Sequence, residues 1–64
     1  MKHYTIQIEV QDNFLFAHTN RHKEVDDFIK AFKDNNKAKE IKVFERNGVS
    51  YSLAYRETRK TIGF

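Results

Sequence analysis

Residues 20 to 34, NRHKEVDDFIKAFKD, constrain the fold more than any other stretch. Val25, Phe28, Ile29 and Phe32 recur there at the i, i+3, i+4, i+7 spacing that lines one side of a 3.6-residue helix. No other segment carries that period. Everything around it reads as strand, so the expected fold class is α+β: a ββαββ order in which a four-stranded, mainly antiparallel sheet has one helix packed on one face.

The helix should begin behind Thr19 or Asn20, with Asn20 the better placed cap. Glu24, Asp26 and Asp27 fall early and Lys30 and Lys33 late, as the macrodipole favours. Asp34-Asn35-Asn36 should stop it, with an Asn in the left-handed conformation.

Residues 3 to 10, HYTIQIEV, alternate strictly, with Tyr4, Ile6, Ile8 and Val10 on one side and Thr5, Gln7 and Glu9 on the other. Residues 14 to 19, FLFAHT, return as the second strand. The turn between them sets parity, because a one-residue slip moves every side chain to the opposite face. A two-residue turn at Asp12-Asn13 would leave Phe14 and Phe16 among the glutamines. A three-residue loop, Gln11 to Asn13 with Asn13 left-handed, sets Phe14 against Val10 and Phe16 against Ile8. The latter is the expectation, because it buries two rings instead of a Leu and an Ala.

The same reasoning applies to residues 39 to 46, KEIKVFER, and 49 to 56, VSYSLAYR. A three-residue loop of Arg46, Asn47 and Gly48 pairs Val43 with Tyr51 and Ile41 with Leu53, with Gly48 at a left-handed bulge position. Two fully antiparallel strand orders, 2-1-3-4 and 1-2-4-3, satisfy this connectivity. Residues 1 to 56 form a single domain in this reading and residues 57 to 64, ETRKTIGF, a C-terminal tail.

Sixty-four residues can bury only about 60% of the surface exposed by the unfolded chain. With no Cys, neither disulfides nor a thiolate zinc cage can supplement that core. No apolar run approaches the roughly 18 residues of a membrane span, and the expected location is cytoplasmic. The Lys- and Asn-rich, Cys-free composition resembles that of short reading frames of low-GC bacteria and their phages.

Chemistry-bearing constellations are scarce. Asp26 and Asp27 are neighbours on a helix and point about 100° apart, which suits a solvated face better than an acid and base pair. Ser50 and Ser52 have no activating His in reach, and Gly48 and Gly63 are too few for a phosphate-cradling loop. His3, His18 and His22 gather near one end, but the expected parity puts His3 and His18 on opposite faces, so no metal site is assigned. The expectation is a protein that is not an enzyme, with no cofactor, metal or small-molecule substrate.

What remains is surface. On the helix-free face the expected parity leaves Leu15, Ala17, Phe44 and Ala54 as an apolar patch rimmed by charge. A small protein-interaction module is therefore expected, either a homodimer or a binder of a host factor. The alternative is nucleic acid. Net charge is +3, and residues 37 to 64 hold seven Lys/Arg against three Asp/Glu. Lys42, Phe44, Arg46, Arg56, Arg59 and Lys60 would then supply cations and one stacking ring.

Overall fold

The computed structural model describes residues 2–59. Its elements run β1 (Lys2–Val10), β2 (Asn13–Thr19), α1 (His22–Asp34), β3 (Ala38–Asn47) and β4 (Ser50–Thr58). All pairings are antiparallel, in the order β2-β1-β3-β4, the first of the two expected orders. The two hairpin tips point to opposite ends of a molecule 44 Å long and 19 by 16 Å across.

The core lies between α1 and the two central strands. Tyr4, Ile6, Ile41 and Val43 from the sheet, Val25 and Phe32 from the helix, and Ala38 at the start of β3 are buried. Phe28, Ile29, Ile8, Val10, Ala17 and Tyr55 pack around them half-covered. Each fully buried large side chain contributes about 1.5–3 kcal/mol. The helix touches β1, β3 and β2, so β4 is held mainly by its ladder to β3.

Both hairpins depart from the expected register. In the first, Gln11-Asp12 forms a two-residue turn that sets Asn13 against Val10, Leu15 against Ile8 and Ala17 against Ile6. Gln11 carries the positive φ of +56° that was expected at Asn13. The side chains of β2 are therefore reversed: Leu15 and Ala17 point to the helix side, and Phe14 and Phe16 away from it. α1 follows β2 after only Asn20-Arg21, and small Ala17 is half-covered against the core where a Phe ring would need more room.

In the second hairpin, Gly48-Val49 is the turn, with φ of +66° at Gly48. Gly48 is the only one of the two central residues with positive φ, which excludes the type I′ turn usual for Asn-Gly. Asn47 then pairs with Ser50, Arg46 with Tyr51 and Phe44 with Leu53, whereas Val43 pairs with Tyr55. Ala54 is the extra residue of a β-bulge. The bulge reverses parity within the strand, so Tyr55 and Glu57 face the helix side while Leu53 and Tyr51 face away.

The helix ends also differ from expectation. Its N-cap is Arg21, without a side-chain cap bond. Thr19 Oγ1 instead accepts from the Arg21 N–H at 3.0 Å and donates to the Glu24 carboxylate, so one hydroxyl ties the entering chain to the first turn. Asn35 is extended, with φ of −99°. Arg59 adds donors at that end: its Nη2 donates to Phe32 O at 3.0 Å and Lys33 O at 2.9 Å and its Nη1 to Asn35 O, beside the backbone bonds that Phe32 O and Asn35 O already accept from Asn35 and Ala38. Its guanidinium lies 5.0 Å from the Phe32 ring centre. The residues expected to begin a tail thus finish β4 and brace the helix.

Candidate functional site

The helix-free face is the surface that these registers build. Four rows cross it from β2 through β1 and β3 to β4: Phe14, Glu9, Glu40, Thr58; Phe16, Gln7, Lys42, Arg56; His18, Thr5, Phe44, Leu53; and, lacking a β2 member, His3, Arg46, Tyr51. Phe14, Phe16, Tyr51 and Leu53 are 52, 62, 64 and 51% exposed, and Phe44 is half-buried. Two apolar corners result. Phe14 and Phe16 form one on β2; Phe44, Leu53 and Tyr51 form the other, diagonally across the sheet.

The expected patch of Leu15, Ala17, Phe44 and Ala54 is not assembled. Leu15 and Ala17 are on the helix side, where Leu15 lies beyond the reach of α1 and stays 57% exposed. Ala54 occupies the bulge, and only Phe44 belongs to the open face. The residues missed were Phe14, Phe16, Tyr51 and Leu53. A signal for the first two was the short link into the helix; a mid-strand bulge leaves no comparable mark in the sequence.

The basic residues are also redistributed. Arg56 Nε donates to Glu40 Oε2 at 2.8 Å, Thr58 Oγ1 donates to the same oxygen at 2.9 Å, and Lys42 Nζ lies 3.7 Å from Glu40 Oε1. The Thr58 hydroxyl, then Arg56, hold the Glu40 carboxyl below the usual carboxylate range against an opposing effect of burial. Glu40 therefore offsets one of the two positive charges nearest the centre of the face. Arg46 Nε donates to Gly48 O at 2.8 Å, and its guanidinium sits 5.9 Å from the Tyr51 ring centre. Arg59 is committed to the helix end, and Lys60 lies outside the described residues.

At the upper end of the face a shallow hollow of about 640 Å³ is lined by His3, Tyr4, Thr5, His18, Thr19, Asn20, Arg46 and Tyr51. His3 and His18 share this side of the sheet, contrary to the expected parity, and His18 Nδ1 is 3.0 Å from Thr5 Oγ1. His22 lies apart, edge-on to Tyr4 and 3.6 Å from Asp26. Among the described residues no group of three or more His, Cys, Asp or Glu is arranged to hold a metal ion. Nor is any helix among them long and apolar enough to cross a membrane.

No protein-family model matches the chain, and searches of curated proteins and of solved structures likewise return no match.

Proposed function

We propose that this protein is a non-enzymatic interaction module that binds another protein surface, its own or a different one, through the helix-free face of the sheet. The observation that carries this reading is the placement of Phe14, Phe16, Tyr51 and Leu53, all more than half exposed, on one side of one sheet together with Phe44. Scattered apolar residues are ordinary on a surface, but rings and a Leu gathered at two corners of a sheet mark a contact area. Aromatic anchors within a polar surround are also the composition of interface cores.

A second reading, single-stranded nucleic acid on the same face, draws support from the rings of Phe16, Phe44 and Tyr51, which are placed to stack with bases. Its weakness is charge. Lys42 and Arg56 share the Glu40 carboxylate and Arg59 is bound to the helix end, so Arg46 is the cation of the face least tied to other charges.

A photo-crosslinking phenylalanine at position 16 or 53, with position 30 on the outer face of α1 as control, separates these readings in the cell of origin. Protein adducts enriched at 16 and 53 over 30 are the expected result. Adducts to nucleic acid at those positions would favour the second reading, and no enrichment over position 30 would overturn both.

A further inference from the structure

We propose that the occupant of the open face is a second copy of this chain, docked across a two-fold axis with the two sheets near right angles. The inference rests on the interaction reading above and names its partner. The geometry follows from where the apolar corners lie. With strands about 4.8 Å apart and alternate residues about 6.7 Å apart along them, the Phe14/Phe16 corner and the Phe44/Leu53/Tyr51 corner are roughly 18 Å apart, along a line about 45° to the strands. A closed dimer must match a surface to itself, so each corner has to meet the other corner of its partner. The axis that does so lies in the plane between the sheets, perpendicular to that line. It sets the strands of the two copies at about 90°, one of the two arrangements in which sheets pack face to face.

In that arrangement Phe16 of one copy falls over Phe44 of the other, and Phe14 falls between Leu53 and Tyr51. One charge contact favours it and one opposes it. Glu40 falls near Arg56 of the second copy, reinforcing the ion pair it already makes within its own chain. Lys42 lies close to the axis, where two ammonium groups approach one another, but each is held by Glu40 of its own chain at 3.7 Å. The overlapping area is a square about 19 Å on a side, which with side-chain relief amounts to roughly 1,000–1,200 Å² of total buried surface, the lower end for a specific interface. A dimer dissociating in the micromolar to sub-millimolar range is therefore expected, not a permanent one.

The test uses light scattering and sedimentation on the purified chain from about 5 µM to 1 mM. The native protein should pass from monomer to dimer across that range. Phe14→Glu and Leu53→Lys each alter an exposed side chain, and each occurs twice in the dimer, so either should weaken association by about 100-fold or more. An equimolar mixture of the two should dimerise again, because the mixed pair keeps one native corner contact and sets Glu against Lys at the other. Circular dichroism establishes that both variants fold; Phe16→Glu replaces Phe14→Glu, or Tyr51→Lys replaces Leu53→Lys, if either does not, so that the mixture still carries one substitution in each corner. A native chain monomeric at 1 mM, variants that still dimerise, or a mixture that stays monomeric would each overturn the two-fold arrangement. If the native chain is monomeric while positions 16 and 53 crosslink to a different protein, the second copy is wrong and the interaction reading stands; absence of crosslinks removes the reading itself.

Discussion

Removing the Arg59 side chain should destabilise this domain more than any other surface substitution in it. Arg59 offers its guanidinium to three carbonyls at the end of α1 and covers the ring of Phe32, the most buried residue of the helix. Hydrogen bonds from a charged donor are worth about 1.5–3 kcal/mol where protected, and a cation at a helix C-terminus about 0.3–1 kcal/mol. Stacking on a ring adds about 0.5–1 kcal/mol. Because the site is half-exposed and these contributions overlap, Arg59→Ala should cost about 2–3 kcal/mol. A chain of this length has roughly 3–10 kcal/mol in total. Thermal and urea unfolding followed by circular dichroism should show the midpoint falling by about 10–20 °C, at 4–8 °C per kcal/mol for a domain this small. Arg59→Lys should recover less than half of the loss, since an ammonium restores charge but neither the fork nor the stacking. A midpoint within about 2 °C of the native protein would show that the brace is not formed, returning Arg59 to the surface as a free cation.

The remaining expectations use the same unfolding measurement. Phe32→Ala should cost about 3–5 kcal/mol and Phe28→Ala about half of that, because Phe32 is fully buried and Phe28 only half; equal losses would refute the assigned helix face. Gly48→Val should destabilise by about 1–2 kcal/mol, more than Asn47→Ala, although a Cβ at Gly48 meets nothing within 4 Å. The cost there is purely the left-handed φ, and the reverse order would reject the Gly48-Val49 turn. Glu40 has its carboxyl pKa lowered in the fold, so its contribution is present above the unfolded value and lost as pH falls through the folded one. Glu40→Gln should therefore lower the melting temperature at pH 7, and the gap to the native protein should narrow as pH falls below the ordinary carboxylate range; a gap that does not change with pH would reject the ionic role.

Periodicity made the skeleton of this fold legible. Four apolar residues at helical spacing placed α1, and strict alternation in residues 3 to 10 placed β1 with its correct faces. Parity of the other strands was harder to read, because it depends on single residues in turns. Burying the most aromatic area argued for Phe14 and Phe16 inward. The structure instead places the turn at Gln11, accepting a positive φ there, so that small Ala17 lies beneath a closely connected helix. In β4 no uniform register could have succeeded, since the bulge at Ala54 puts Tyr55 toward the helix and Leu53 away from it. The Arg59 brace joins groups 24 to 27 residues apart and has no local signature.

Those two departures act in one direction, and the interaction surface follows from them. Each reversal moves rings or a Leu out of the space beneath α1 and onto the open face, leaving a core of seven buried residues. A 13-residue helix is only about 20 Å long and reaches three of the four strands, so it has no further surface to offer those rings. Among the described residues no other element covers the apolar corners, and their exposure to water costs about 25 cal/mol for each Å². A second copy removes that exposure from both molecules at once. The same step covers β4, the strand held by a single neighbour. Amides of β4 should therefore gain hydrogen-exchange protection as concentration rises through the dimerisation range, whereas those of the hairpin tip at Gly48-Val49 should not. Equal, concentration-independent exchange along β4 would mean that the face stays open.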